Sequence, residues 1–248
     1  MSFTTREFAD KRRPRWLWPL VGAAVLIVVV ALILVFTVGG SQSSPAAQPN
    51  ATAGPTQITP APGSAPANPA TTGVLAPNDP QYLTAAPAGV NFQVVHGLQL
   101  PFSPVDGPLR INGPVAAGYS RTPQGAALAA IQIGFRLLYA PGYQQVVAEQ
   151  AAVDPALREK FLAARNAQPQ MSDTELSAAV ARTVAFKFDS FTPERATVEI
   201  AGPNVNGAPG TYVTGPYTVV WSSGDWKFTD NSNSPATTVN SLSGYTTW

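Results

Sequence analysis

Apolar and polar positions follow three different rhythms along these 248 residues. Between residues 16 and 38, "WLWPLVGAAVLIVVVALILVFTV", no charge interrupts the run, and about 20 apolar residues suffice to cross the hydrocarbon core of a bilayer. That predicts a transmembrane helix. A cleaved signal peptide is the rival reading, but its apolar core runs about 7–15 residues to an A-x-A-like site. This run is longer, and "TVGGSQSS" is a poor match to such a site. Residues 39–88 then show no apolar period. Ten prolines sit there among Ala, Thr, Ser, Gly and Asn, with Asp79 the lone charge, a composition that cannot bury enough surface to offset ordering entropy. A disordered linker is expected, and proline at that density favours extended polyproline II at about 3.1 Å per residue.

From residue 89 to 248 the periods are those of one folded domain. "GVNFQVVHGLQLPF" reads as a short extended segment bounded by Gly and Pro, and "RINGPVAAGYS" as irregular structure or an edge strand. Four helical patterns follow. "TPQGAALAAIQIGFRLL" opens with Thr122 as N-cap and Pro123 at the first position, where the donor it lacks would be unpaired anyway. "GYQQVVAEQ" is short, and "DPALREKFLAARNA" has Asp154 as cap and Pro155 behind it. "SDTELSAAVARTV" begins with Ser172 and Glu175, a capping box. Then the period drops to two. In "TVAFKFDSFTP" Val184, Phe186, Phe188 and Ser190 fall on one side; "ATVEIAGP" alternates likewise, and "GTYVTGPYTVVWSSGDWKFTDN" reads as strand, turn at residues 223–225 and returning strand. Helices first and antiparallel strands afterwards predict an α+β domain with the helices on one face of a sheet.

The stretch from Thr122 to Leu138 is the oddest. It is apolar on nearly every side, yet carries Gln132 and Arg136. It is too short and too interrupted for a second span, since a charge at mid-membrane costs at least about 2.5–3.5 kcal/mol. A helix apolar all round is a buried helix. The expectation is a core helix held in a curved antiparallel sheet.

Charge sets the orientation. Arg6, Lys11, Arg12, Arg13 and Arg15 precede the apolar run, so residues 1–15 are expected in the cytoplasm and the C-terminal domain outside. From Val90 onward ten basic side chains face eleven acidic ones, with no basic cluster, which argues against nucleic acid as a partner. Zero cysteines and one histidine remove disulfides and most metal and thiol chemistry. No catalytic, cofactor-binding or metal-binding residue is assigned, and no cofactor is expected.

The remaining candidates have bland readings. His96, in "QVVHGLQL", has Asp106 as its nearest carboxylate in sequence, in a Pro/Gly loop; a partly buried histidine satisfied by backbone is expected. "GPVAAGYSRTPQG" lacks the lysine of a phosphate loop, and a capped helix explains it without the anion that Arg121 could attract. Arg136 is expected to pair with Glu149, Asp154 or Glu175, or else to snorkel. Tyr245 and Trp248 end a polar tail that either docks on a partner or packs back.

A long helix followed by the meander "YTVVW"–"GDWKF" resembles the cystatin-like cone of nuclear-transport-factor-type domains. With a single anchor and a spacer, the whole looks like the scaffold subunits of bacterial type IV secretion and conjugation machines. The phrases "VVHGLQLPFSPVDGP" and "AAGYSRTPQGAALAA" look like a group of actinobacterial membrane-anchored proteins with no assigned activity, some linked to conjugative elements. These resemblances imply a single-pass, non-enzymatic interaction module in a cell-envelope complex. The implied partners are the bilayer, other envelope proteins and a second copy of the chain. The alternative is a small-ligand-binding or enzymatic cone. An interior filled by Ile133, Leu137, Phe186 and Phe188 argues against it, and an open pocket of several hundred Å3 with convergent polar groups argues for it.

Overall fold

The computed structural model describes residues 75–229 and 235–248. The expected cytoplasmic tail (1–15), transmembrane helix (16–38) and linker up to residue 74 lie outside the described residues. Among those described, no helix is long and apolar enough to cross a membrane.

The stretch before the helices folds back on itself twice. β1 (Asn91–Val95) and β2 (Leu98–Phe102) pair antiparallel. The turn between them is His96-Gly97, both at positive φ, 49° and 76°. Sequence reading takes this as one extended segment because a two-residue turn barely interrupts an alternating pattern. The left-handed geometry such turns need usually announces itself as Asn-Gly, and His-Gly, although histidine is among the side chains that enter that region more readily, is not that pair. Gly97 has no alternative, since a Cβ there would collide with the Asp173 carbonyl. β3 (Arg110–Asn112) and β4 (Val115–Ala117) form a second hairpin around Gly113-Pro114.

Helix α1 (Pro123–Leu138) lies between these hairpins and the main sheet. The Thr122 hydroxyl accepts from the Gly125 amide, Pro123 opens the first turn, and every residue from 123 to 137 is buried. Its few polar side chains point at backbone. Gln124 Nε2 donates to the Tyr82 and Ala85 carbonyls at 3.0 and 3.2 Å. Gln132 Nε2 donates to Pro101 O of β2 at 2.8 Å, and Arg136 donates to Pro114 O in the second hairpin at 3.0 Å. At offsets of eight and twelve residues from Gln124 these positions share one helix face. That face is a seam to which the overlying segments are bonded, and the opposite face meets the sheet.

Three shorter helices follow: α2 (Tyr143–Gln150), α3 (Pro155–Asn166) and α4 (Asp173–Ala179). Asp154 caps α3 by accepting from the Leu157 amide, and Ser172 with Glu175 closes both halves of the expected capping box on α4.

The sheet is an antiparallel meander of β5 (Ala185–Thr192), β6 (Arg195–Pro203), β7 (Tyr212–Ser222) and β8 (Asp225–Thr229). β9 (Thr237–Val239) pairs with the first residues of β7, and β10 (Thr246–Thr247) with the start of β5. Ala196, Val198 and Ile200 of β6 and Val219 of β7 face the core and are buried. In β5 the alternation slips at a bulge between Phe188 and Ser190. Ser190 therefore does not continue the inner row. Phe191 does, with its ring 5.7 Å from Phe188 and 6.3 Å from Trp226, because the extra residue inverts the side-chain phase.

Both ends of the described chain are held against this domain. Composition places residues 79–88 in the linker, yet Tyr82 lies edge-on to Phe191 at 5.9 Å. The Ala88 amide donates to Asp106 Oδ2 at 3.1 Å, and Ser103 Oγ donates to Ala88 O at 2.5 Å. Packing thus begins before residue 89; the proline-rich average masks one well-placed aromatic. At the other end Trp248 lies 4.6 Å from Phe186, and Thr246 Oγ1 donates to Thr84 O at 2.9 Å.

Candidate binding cleft

Most side chains with catalytic potential are engaged in holding the fold. His96 sits half exposed in its turn, with Nδ1 3.9 Å from Asp173 Oδ1; its neighbouring carboxylate is not Asp106, and the expected partly buried setting does not hold. Asp106 is buried and accepts from Ala88 N, Ser120 Oγ and Thr122 Oγ1. A carboxylate of the chain itself therefore faces the start of α1, where the helix dipole favours negative charge. Arg121 turns away from that end. It donates to Pro193 O and Glu194 Oε1, each at 3.0 Å, and lies over the Trp221 ring.

Arg136 has none of the three acidic partners expected for it. Besides Pro114 O, its Nε donates to Gln132 Oε1 at 3.1 Å, both neutral acceptors, and the residue is 2 % exposed. Burial pulls its pKa down, while nearby Tyr119 pulls it up; an arginine stays charged through such shifts. The expected ion pair fails because β4 and its turn, not an acidic helix, cover this part of α1.

Asp225 is a structural residue that sequence reading leaves in a turn. It begins β8 and is buried. Its carboxylate accepts from Gly118 N, Tyr119 N and Trp226 N at 2.7, 3.1 and 2.9 Å. The local "SGD" pattern predicts the turn but carries no sign of this long-range bond. On the outer sheet face, burial works to raise the pKa of Glu199. Hydrogen bonds from Lys187, Thr214 and Tyr245 outweigh it and hold the carboxyl below its ordinary value.

The interior is filled where the sequence places most of its bulk: Ile133 and Phe186 are fully buried and Leu137 nearly so, whereas Phe188 is only partly buried against that core. Beside that packed region a cleft of about 320 Å3 opens between the C-terminal end of α1, the α4–β5 connection and the strands β6, β7 and β9. Gly134 shapes one wall. A Cβ there would lie 2.6 Å from two ring atoms of Tyr217, so only glycine lets that ring lie on the helix, 6.2 Å from Phe135. Tyr139 adds a third ring, edge-on to Phe135 at 5.6 Å. Opposite Ile200, Gly215 leaves the floor without a side chain.

Among the described residues the lining carries no charged side chain. Burial raises both phenol pKa values, Tyr139 to about 12 and Tyr217 further, with Tyr139 adding to the latter, so both remain protonated donors at ordinary pH. Thr183 also lines the cleft; it is 3 % exposed and, among the described residues, its hydroxyl has no hydrogen-bond partner. None of these positions stands out in the sequence. They are neutral residues from five separate segments, joined only by the fold.

Among the described residues, four helices on antiparallel sheets, with an uncharged aromatic cleft at one end of the buried helix, make up an α+β domain. The chain belongs to the family described as a domain of unknown function (DUF8175), whose model it matches over residues 44–247. No curated protein and no solved structure matches it.

Proposed function

We propose that this chain is a membrane-anchored, non-enzymatic interaction module, a structural subunit of a conjugation- or secretion-type envelope complex of actinobacteria. Its tail (1–15) is cytoplasmic, residues 16–38 span the membrane, and the proline-rich spacer projects the domain outward. The finer fold reading is a cystatin-like cone, with α1 as the long helix and β5 to β8 as the curved sheet. One observation carries the non-enzymatic reading. Asp106, Asp225, Gln132 and Arg136, the buried polar side chains with most chemical potential, are bonded to segments of the chain itself. They are used to fasten hairpins to a core. A second reading, a small-ligand-binding domain in the same position, is favoured by the open cleft.

The assembly reading is tested by crosslinking in intact cells at native expression, followed by identification of captured chains. Other envelope proteins are expected among them. Recovery of the chain alone defeats the reading.

A further inference from the structure

We propose that the cleft at the C-terminal end of α1 is a binding site for an uncharged, largely apolar small molecule bearing one hydrogen-bonding oxygen or amide. Aromatic contact comes from Phe135, Tyr139 and Tyr217, and the polar contact from Thr183. This inference rests on the ligand-binding reading and is independent of the assembly reading.

Size supports it first. At about 320 Å3, the cleft sits at the lower end of ligand pockets, which span about 300–1,000 Å3 and are mostly apolar with a few placed polar groups. Charge supports it second. With no ionic side chain among the described lining residues, a cation or anion entering would lose hydration with no opposite charge to offset the loss. Neutral molecules escape that penalty. Faces of aromatic rings suit a flat, apolar body.

The polar requirement comes from Thr183. Buried hydroxyls are normally bonded, and leaving one unpaired is costly. The Thr183 methyl stands 4.0 Å from the point where a Cβ on Gly202, another lining residue, would sit. One rotation about χ1 between staggered wells carries the hydroxyl to the place the methyl now holds, while the methyl moves to the place of the Cβ hydrogen. That turns the unpaired oxygen toward the cleft, where a ligand carbonyl, hydroxyl or amide can pair with it.

The test uses the full chain in lipid nanodiscs, observed by 19F line broadening of three probes. Two are neutral, 4-fluorobenzamide and 4-fluorobenzyl alcohol; 4-fluorobenzoate is their charged counterpart, and empty nanodiscs measure partition into lipid. The neutral probes are expected to broaden beyond the nanodisc baseline and the benzoate not to. Gly215→Val fills the floor; a Cβ there meets only Ala236 Cβ, at 3.8 Å, so the backbone admits a side chain, and in a variant whose thermal melt stays cooperative broadening should vanish. Thr183→Val should weaken binding by about threefold to tenfold, the worth of one hydrogen bond, while raising the unfolding temperature of the empty protein by removing an unpaired hydroxyl. A merely structural Thr183 would not give that opposed pair of effects. The proposal is overturned if neither neutral probe broadens above baseline, if benzoate broadens equally, or if either variant leaves affinity unchanged. Loss of the NMR effect with crosslinks intact leaves the assembly reading standing, and the reverse result leaves the cleft.

Discussion

Gly134 shows how one residue decides a contact between elements. Alanine is worth about 1 kcal/mol more than glycine inside a helix, so local propensity argues for Gly134→Ala. The Tyr217 ring argues against it. Packed against Phe135 and Phe228 at 6.2 and 6.4 Å, it has little room to retreat from a new methyl, and overpacking of this kind costs about 1–3 kcal/mol. Gly134→Ala is expected to lower stability in a denaturant melt. In the Tyr217→Leu background the same change should be neutral or favourable, a coupling that a double-mutant cycle measures directly. Lys187 and Glu199, 2.5 Å apart, supply a second test at this scale. Glu199 has a depressed pKa in the fold, so its stabilising share is present above the ordinary glutamate range, about pH 4.3, and is lost as pH falls through the lowered value. For Lys187 the Glu199 hydrogen bond raises the pKa, so its share persists to high pH and disappears above the ordinary lysine value. Thermal midpoints measured from pH 7 down to pH 3 should fall less steeply in Glu199→Gln than in the natural protein.

Elements that carry their own end signals are the ones a reader of the sequence can place. Thr122-Pro123, Asp154-Pro155 and Ser172…Glu175 each satisfy orphan amides locally, and all three helices begin where these residues stand. The even apolar coat of α1 likewise announces burial. The reason it must be apolar on both faces is tertiary: two hairpins lie over one face and the sheet under the other. Those hairpins are poorly legible because His96-Gly97 and Gly113-Pro114 are not the commonest turn pairs, and the β5 bulge has no signature at all. The cleft is illegible for a further reason. Its floor is a missing side chain and its walls are ordinary core residues, so nothing in the sequence marks it. Burial of α1 gives a sharp expectation. Ile133 is fully buried, and placing a carboxylate there loses an apolar side chain worth about 1.5–3 kcal/mol and adds an unpaired charge. Against a typical stability of about 5–15 kcal/mol, Ile133→Asp should abolish the cooperative thermal transition of the domain. A melt near the natural temperature removes α1 from the core.

For the whole molecule the proposed topology is open to a clean chemical test, because the chain has no cysteine and any introduced thiol is unique. A membrane-impermeant maleimide applied to intact cells should label Ser243→Cys, at an exposed position near the C-terminus, and should label Ser2→Cys only after permeabilisation. Labelling of both, or of Ser2→Cys alone, contradicts a cytoplasmic tail with an outward domain. The meeting of Thr84 and Thr246 also has a mechanical meaning. In the proposed topology, tension travelling down the chain from a membrane anchor would reach the domain beside its last described strand, and the Gln124 bonds to Tyr82 and Ala85 are rooted in the opening turn of α1. Load is thereby delivered straight to the innermost helix, and the cleft, at that helix's far end, stands where a shift along its axis would be felt.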